Sequence, residues 1–277
     1  MRAGFDRSDG YLVAAVQMVS GDSVADNLQH AERLIAQAAR DGARLVGLPE
    51  YFCLLSADET AKVRIAETLG EGPIQAFLRE SAARHGIWLS GGTLPIRSDV
   101  AGKVYNASFL YSPDGSQIAR YDKVHLFSYT GENERFDEGR TILAGKAPVR
   151  VDCPLGSLGL SVCYDLRFPE FYRALMPLDL ILVPSAFTYT TGQAHWTTLL
   201  KARAIENQCY VLAPAQGGMH PHGRKTWGHS VLIDPWGEII AQLEQGPGVV
   251  MGQLSHARIR EVRQALPALH NRIIGNE

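Results

Sequence analysis

Two short apolar runs near the start of the chain, joined by one helical repeat, constrain the fold more than any other feature. Residues 11–17 (YLVAAVQ) and 44–48 (RLVGL) each have the length and composition of a buried strand. Between them, apolar residues recur at helical spacing from Val24 to Ala38. A strand, a helix and a second strand in close succession predict a crossover unit whose two strands lie parallel in one sheet.

The alternation of strands and helices continues along the chain. Strands that are apolar on both faces must be covered on both sides, and two sheets packed face to face with helices outside would do this. Helices are predicted over 58–69, 73–85, 169–176, 192–207 and 256–266, strands over 87–92, 105–111, 117–121, 149–152, 157–163, 180–183 and 209–213, and a closing β-meander over 229–233, 238–243 and 249–254. The polar residues 128–145 are predicted to form a loop.

Composition excludes several classes of protein. Lysine and arginine number 27 against 29 acidic residues, a net charge of −2, which gives no reason to expect nucleic acid or an anionic membrane as a partner. No apolar run approaches the roughly 20 residues that span a bilayer. Four scattered cysteines without Cys-x-x-Cys spacing favour a reducing, cytoplasmic setting. We expect residues 1–10 to be a flexible tail and residues 11–277 to be one domain.

Cys163 lies where an apolar run ends and a helix is about to begin. Residues 158–163 favour a strand, and Pro169 suits the first turn of a helix. A thiol at such a corner would be held rigidly, and the positive end of the helix would favour its thiolate. The alternative is a buried cysteine that packs as a small hydrophobic residue.

Two further charged residues lie in apolar surroundings. Glu50 follows the strand at 44–48 and is flanked by proline and aromatic residues, where burial would raise its pKa and make it a general base. Lys123 follows a predicted hairpin and lies among valine, leucine and phenylalanine, where a buried ammonium needs a partner. The alternatives are a solvated glutamate in a loop and a lysine that reaches solvent from an edge strand.

These three residues lie in motifs that resemble those of the carbon–nitrogen hydrolase (nitrilase) superfamily. The motifs are Leu-Pro-Glu50-Tyr, Tyr-Asp-Lys123-Val-His-Leu-Phe and Cys163-Tyr-Asp-Leu-Arg-Phe-Pro-Glu, and the resemblance covers nearly the whole chain in order and spacing. It implies an α/β fold, the four-layer α-β-β-α sandwich, which usually dimerises through helices. It also implies hydrolysis of a small-molecule amide, with no cofactor and no metal ion.

The resemblance assigns a role to each residue of a Glu-Lys-Cys triad. Cys163 would attack the amide carbonyl, and Glu50 would take and return the proton. Lys123 and the backbone N–H of Tyr164 would hold the oxyanion.

Many members carry a second glutamate between the lysine and the cysteine. Glu138, in Phe-Asp-Glu138-Gly-Arg-Thr, matches best. Glu132 and Glu134 stay open as alternatives, because the length of this loop varies in the family.

The segments that follow Cys163 are similar to the Nit branch, which includes deaminated glutathione amidases and ω-amidases. The similarity lies in residues 184–188 and 191–196, and it places Phe187, Thr188 and His195 among the residues that contact substrate. Residues 201–211 and 215–220 favour the deaminated glutathione amidases.

Both activities cleave an amide beside an α-keto acid, so a cation should bind the substrate carboxylate. Arg167 is the predicted cation, since a guanidinium binds a carboxylate through two hydrogen bonds. The alternative is a structural salt bridge from Arg167 to Asp165 or Glu170.

Other functions remain open at this point. An ω-amidase or an N-carbamoyl amidase would use the same residues, and a non-catalytic binding protein could have the same fold. A Cys-His hydrolase is disfavoured because no papain-type pattern flanks Cys163. The spacing of His220 and His222 permits a metal site, but no cysteine or acidic ligand lies near them in the sequence. We expect the protein to be a homodimer or a higher homo-oligomer.

Overall fold

Two large β-sheets and the helices that cover them make up most of the structure. The computed structural model describes residues 10–131 and 135–274, without the side chain of His222. The helices are α1 (Val24–Arg40), α2 (Ala61–Arg64), α3 (Pro73–His85), α4 (Pro169–Arg173), α5 (Tyr189–Asn207) and α6 (His256–Ala265). The strands are β1 (Tyr11–Gln17), β2 (Leu45–Gly47), β3 (Trp88–Ser90), β4 (Leu94–Arg97), β5 (Val104–Tyr111), β6 (Gln117–Asp122), β7 (Ser128–Thr130), β8 (Arg135–Asp137), β9 (Val149–Cys153), β10 (Gly156–Leu160), β11 (Leu180–Leu182), β12 (Tyr210–Ala213), β13 (Ser230–Ile233), β14 (Ile239–Leu243) and β15 (Gly248–Leu254).

Each sheet contains three neighbouring parallel strands. The first has the order β15-β1-β2-β3-β5-β4, with β6 paired to β5, and the second has the order β14-β13-β12-β11-β10-β9. Strands β1, β2 and β3 run parallel, as do β10, β11 and β12. Val13 pairs with Leu45, so the predicted crossover unit is confirmed.

The alternation of side chains along β1 shows how the layers stack. Val13 and Ala15 pack into a cluster that includes Leu158 and Leu182 of the second sheet. Ala14, on the opposite face, packs with Ile35 of α1. Successive residues of a strand point to opposite faces, so the sheets meet face to face and the helices lie outside. The predicted four-layer α-β-β-α sandwich is confirmed.

The predicted closing β-meander is wrong in its last strand. β13 and β14 pair antiparallel as expected, but β15 pairs along its whole length with β1 of the other sheet, from Tyr11 opposite Leu254 to Gln17 opposite Gly248. Without β15, the polar backbone groups along one side of β1 would lack hydrogen bonds in the interior, which is costly. The chain therefore closes the first sheet with its last strand.

The helix predicted over 58–69 is reduced to the single turn of α2. The backbone of Glu67 instead bonds to β4, with Glu67 N donating to Pro95 O at 3.1 Å and Arg97 N donating to Glu67 O at 2.9 Å. Its carboxylate accepts hydrogen bonds from the N–H groups of Ile74 (2.6 Å) and Gln75 (3.0 Å), at the start of α3. The first backbone N–H groups of α3 have no acceptor within the helix, and the Glu67 carboxylate supplies one. Glu67 makes these contacts in place of the helical hydrogen bonds that a longer α2 would need.

Strand β4 was not predicted, and α5 begins at Tyr189 rather than at residue 192. Further differences lie near Cys163. The predicted loop 128–145 contains the hairpin of β7 and β8. The strand predicted over 157–163 ends at Leu160, and a 3₁₀ helix spans Cys163–Arg167. Among the residues described, no helix is both long and apolar enough to cross a membrane.

Candidate active site

Glu50, Lys123 and Cys163 converge in the interior, where the ends of strands from both sheets meet. Glu50 lies just after β2, Lys123 just after β6, and Cys163 shortly after β10. Lys123 Nζ lies 2.8 Å from Glu50 Oε1, and the two side chains are 0% and 1% exposed. Burial raises the pKa of the Cys163 thiol, and the charges of Glu50 and Lys123 shift it further in opposite directions, so the thiol lies beside this pair. The structure thus brings together three side chains that are far apart in sequence.

Glu138 is the second glutamate of this cluster. Its Oε2 lies 2.8 Å from Lys123 Nζ. The Tyr51 hydroxyl donates to Glu138 Oε1 at 2.7 Å, and Phe127 N donates to Oε2 at 2.7 Å. The alternatives Glu132 and Glu134 lie outside the described residues.

Glu50 is held by groups on several elements. Asn106 of β5 donates from Nδ2 to Glu50 Oε1 at 3.0 Å, and Ala186 N donates to Oε2 at 2.9 Å. Sequence reasoning missed Asn106 as a residue of the site. The available signal was a buried amide within the otherwise apolar strand YNASFLY, since a buried amide requires a hydrogen-bonding partner.

The backbone at Cys163 is strained. Its φ of +50° lies in the left-handed region, which residues other than glycine rarely adopt. Cys163 N donates to Pro184 O at 3.0 Å, at the end of the neighbouring strand β11. Such strain persists only where surrounding contacts impose it, and it is common at functional sites.

Asp165 joins the turn at Cys163 to the segment that carries Lys123, and it was not among the predicted site residues. Its buried carboxylate accepts from Val162 N (2.8 Å), from the Tyr121 hydroxyl (2.7 Å) and from His125 N (3.1 Å). His125 Nδ1 also lies 2.7 Å from Asp165 Oδ1.

Two cavities flank the cluster, and Phe127 lines both. The smaller cavity, of about 220 Å³, is lined by Cys163 and by four of the predicted substrate contacts, namely Tyr164, Arg167, Phe187 and Thr188. The larger, of about 550 Å³, lies on the side of Tyr51 and Glu138.

Arg167 makes no salt bridge to the residues that the structure describes. Its guanidinium lies 5.7 Å from the Tyr164 ring centroid and 5.5 Å from that of Phe187. Arg167 Nη1 lies 3.2 Å from His195 Nδ1, which places His195 behind the arginine rather than in the cavity lining. The alternative salt bridge to Asp165 or Glu170 is therefore wrong, and Arg167 faces the smaller cavity.

The histidine pair does not form a metal centre among the described groups. His220 is buried, and its ring nitrogens lie 2.9 Å from Ser20 O and 2.7 Å from Thr226 Oγ1. The His222 side chain is outside the described part. Within residues 10–131 and 135–274, no three histidine, cysteine, aspartate or glutamate side chains are grouped so as to hold a metal ion.

Comparison with known proteins agrees with the motifs. The sequence profile of the family described as carbon-nitrogen hydrolase matches residues 12–264. The chain belongs to the carbon–nitrogen hydrolase family. A deaminated glutathione amidase from Synechocystis sp. (strain PCC 6803 / GT-S) is 45% identical over 269 residues, which cover 95% of this chain and 98% of that protein. A deaminated glutathione amidase from Yersinia enterocolitica is 39% identical over 270 residues, covering 95% and 94%.

A solved structure extends this agreement to the fold. Saccharomyces cerevisiae Nit3, a member of branch 10 of the nitrilase superfamily, superposes with a TM-score of 0.85 at 29% identity, covering 95% of this chain and 96% of that one. Three predictions are thereby confirmed: that the chain belongs to this family, that it belongs to the Nit branch, and that it hydrolyses amide C–N bonds.

Burial and charge set the protonation states of this carbon–nitrogen hydrolase site. Burial raises the pKa of Glu50 above its usual 4.5, although the Lys123 ammonium opposes the shift. Burial would also raise the pKa of Glu138, but Lys123 outweighs it and the net shift is downward. Burial disfavours the charge of Lys123, but Glu138 and Glu50 together raise its pKa well above 10.5. Lys123 and Glu138 therefore form a stable ion pair. The pKa of Glu50 is shifted up and that of Glu138 down, so Glu50 is the carboxylate that accepts a proton more readily.

The sequence predicts that the position of Cys163 favours its thiolate. In the resting site this prediction is wrong. Burial, followed by the charge of Glu50, raises the pKa of Cys163 well above its usual 9.0. The helix that follows is only a short 3₁₀ segment, and its end cannot offset both effects. The thiol is neutral at rest, so a base must remove its proton.

Gly92 allows the chain to approach Glu50 closely, and we expect Gly92→Ala to destabilise the protein by about 3 kcal/mol or more. The φ of Gly92 is +58°, and an added Cβ would lie 2.2 Å from Pro49 O. Gly86 is the matched control, because its φ is +61° but its Cβ would meet nothing within 4 Å. Gly86→Ala should cost about 1 kcal/mol by the left-handed conformation alone. Chemical denaturation measures both, and equal losses would contradict the close approach.

Proposed function

We propose that this protein hydrolyses the C–N bond of a small carboxylate-bearing amide, of the deaminated glutathione type, through a thioester at Cys163. The observation that carries the proposal is the buried cluster in which Lys123 lies 2.8 Å from both Glu50 and Glu138, beside the thiol. A buried ammonium beside one buried and one largely buried carboxylate is costly, and a chain keeps such groups where chemistry requires them. The activity named for the relatives from Synechocystis and Yersinia supports this class of substrate.

In the first half of the reaction, Glu50 accepts the thiol proton as Cys163 Sγ attacks the amide carbonyl carbon. The negative charge that forms on the carbonyl oxygen is held by Lys123 and by the Tyr164 backbone N–H. Lys123 Nζ lies within 2.9 Å of three carboxylate oxygens, Glu50 Oε1 and both oxygens of Glu138. One of its three N–H donors therefore turns from Glu138 to the oxyanion when the charge forms. When the C–N bond breaks, Glu50 gives its proton to the departing amine.

In the second half, water replaces the amine. Glu50, ionised again, takes a proton from the water as its oxygen attacks the thioester carbonyl. The C–S bond breaks, the proton returns to sulfur, and the carboxylic acid is released. Glu138 stays ionised beside Lys123 throughout, and its role is to keep that lysine charged and in place.

Arg167 is proposed to bind the carboxylate of the acyl part of the substrate, and we expect Arg167→Ala to raise KM by about tenfold for acidic amides. The guanidinium faces the smaller cavity beside Cys163 and makes no salt bridge to a described residue, so it can bind an anion without first breaking an ion pair. Phe187 and Thr188 would pack beside that acyl part. Steady-state kinetics with an acidic amide and its neutral isostere test the role, and an equal rise in KM for both would contradict it.

The experiment that tests the proposal is a product screen. The purified protein is incubated separately with deaminated glutathione, α-ketoglutaramate, glutamine and N-carbamoyl amino acids, and the amine or ammonia released is measured. We expect the highest kcat/KM with deaminated glutathione. Preference for α-ketoglutaramate would indicate an ω-amidase, preference for carbamoyl compounds an N-carbamoyl amidase, and no release from any amide a binding protein.

We also propose that residues 11–277 act as one domain, that the chain forms a homodimer or a higher homo-oligomer, and that it works in the cytoplasm. The pairing of β1 with β15 supports the single domain, because it joins the two ends of the chain in one sheet. Exposed Ile205, Trp236 and Ile240 offer apolar surface for self-association. A reducing compartment would preserve the thiol that attack requires.

A further inference from the structure

The larger cavity is lined partly by residues that the reaction steps above do not use. It lies between the segment at Tyr51 and the hairpin of β7 and β8, and its volume of about 550 Å³ compares with about 220 Å³ for the cavity beside Arg167. Lys62 and Arg224 both line it. These two cations come from distant parts of the sequence, and the fold brings them to one wall of the site.

The acidic residues in this lining are already engaged. Asp58 pairs with Arg64 at 2.8 Å and Glu59 with Arg140 at 3.7 Å. Glu138 pairs with Lys123. Asp137 lies at the exposed rim, where its Oδ1 accepts from Gly139 N at 3.1 Å.

The two cations, by contrast, have no described carboxylate in direct contact, although Glu138 and Glu59 act on Lys62 from a greater distance. Lys62 Nζ has a long contact of 3.4 Å to Thr141 Oγ1 and lies 5.5 Å from the Tyr51 ring centroid. The Arg224 guanidinium lies 5.4 Å from the Phe136 ring centroid, and its buried Nε has no hydrogen-bond partner. Neither forms a salt bridge within the described ranges. A buried donor without a partner is costly, so a ligand that supplies an acceptor would be bound there.

We propose that the larger cavity binds the amine part of the substrate and that Lys62 and Arg224 bind a carboxylate on that amine. The inference rests on the proposed function, since it takes the acyl part to lie in the smaller cavity with Arg167. An amide at Cys163 has two substituents, and there are two cavities at the cluster, both lined by Phe127. The acyl part then lies near Arg167, and the amine part near Lys62 and Arg224.

This division specifies the substrate class more closely than the triad does. Glutathione is a tripeptide joined through the side-chain carboxyl of its glutamyl residue, so its deaminated form has a carboxylate on the acyl side and another at its glycine end. Two cationic subsites match such a dianion. A primary amide, which releases only ammonia, would leave the larger cavity and both of its cations unused.

The test compares deaminated glutathione with its C-terminal carboxamide, which differs only in the charge of the amine part. We expect wild type to have a lower KM for the acid. Arg224→Gln should raise the KM for the acid by about tenfold, change the KM for the carboxamide less than twofold, and leave kcat within about twofold for both. Lys62→Met should act in the same direction, and Arg224→Lys should recover part of the loss.

The matched control is Lys225→Gln. Lys225 is the next residue along the chain, but its Nζ lies 3.6 Å from the Tyr189 ring centroid and it does not line the cavity. It should change the KM for the acid less than twofold. An equal effect of Arg224→Gln on the acid and on the carboxamide would overturn the assignment.

A binding measurement separates this proposal from the proposed function. Calorimetry on the Cys163→Ala variant with cysteinylglycine and with cysteinylglycinamide reports the subsite without turnover. If cysteinylglycine binds more tightly than cysteinylglycinamide, and Arg224→Gln removes this difference, the result supports the subsite even if the screen shows no hydrolysis. Hydrolysis of deaminated glutathione with equal binding of acid and amide would refute the subsite and leave the proposed function standing.

Discussion

Cys163→Ala is expected to abolish amide hydrolysis, and Cys163→Ser to retain no more than about one part in a thousand of kcat. Alanine has no atom that can form the acyl intermediate. The serine hydroxyl is a weaker nucleophile than sulfur, and a carboxylate base ionises a hydroxyl far less readily than a thiol. Both variants remove little volume from a position that is 7% exposed, so the fold should remain intact.

The control for these variants is Cys209→Ala. Cys209 is also fully buried, but it lies at the start of β12, and its backbone N donates to Ala204 O at 3.3 Å. We expect it to lose about 1 kcal/mol of stability through the small cavity and to keep full turnover. Steady-state kinetics with circular dichroism on all three variants measures the effect, and turnover by a folded Cys163→Ala protein would end the proposed mechanism.

Glu50→Gln is expected to reduce kcat by about 10² to 10⁴-fold, because it keeps the shape of the side chain but removes the base. The pH dependence gives a second expectation. Burial raises the pKa of Glu50 above 4.5, and the residue acts only when ionised. Wild-type activity should therefore fall as the pH is lowered through this raised pKa, so the acid limb of kcat/KM should lie above pH 4.5. The variant should lack that limb.

Glu67→Gln is the matched control for Glu50. Glu67 is a second buried glutamate, 7% exposed, but its carboxylate accepts the N–H groups of Ile74 and Gln75 at the start of α3. Its replacement should lower stability and leave the pH profile of kcat/KM unchanged. If Glu50→Gln retained the acid limb of the wild type, another group would have to be the base.

Local patterns were enough to predict the elements that bring the three central residues together. The strand preceding Glu50 and the strand preceding Cys163 were both found from short apolar runs. These two strands belong to different sheets, so Glu50 and Cys163 meet because the two sheets pack face to face. The second sheet and the outer helices followed from the same periodicity, and the family motifs supplied the pairing of Glu50, Lys123 and Cys163.

Long-range pairings could not be predicted in the same way. The register of β15 depends on β1, which lies at the other end of the chain. The short α2 depends on hydrogen bonds between Glu67 and β4. In both cases the local sequence is compatible with more than one structure. Contacts with a segment distant in sequence determine which structure forms.

The contacts that support the site were the least predictable part. Asn106 and Asp165 are ordinary polar residues in the sequence, and their roles depend on which buried groups they face. The raised pKa of Cys163 was not predicted, because the local pattern shows neither the depth of burial nor the nearby carboxylate that cause it. Protonation depends on three-dimensional surroundings that the sequence pattern does not record.

The most direct test of the account is to trap the covalent intermediate. Wild-type protein mixed with deaminated glutathione is quenched in acid within milliseconds, digested and examined by mass spectrometry. The account predicts that the peptide containing Cys163 gains the mass of the acyl group minus one hydrogen, and that the adduct is absent in Cys163→Ala. Rapid hydrolysis without any adduct, or an adduct on a peptide that lacks Cys163, would contradict it.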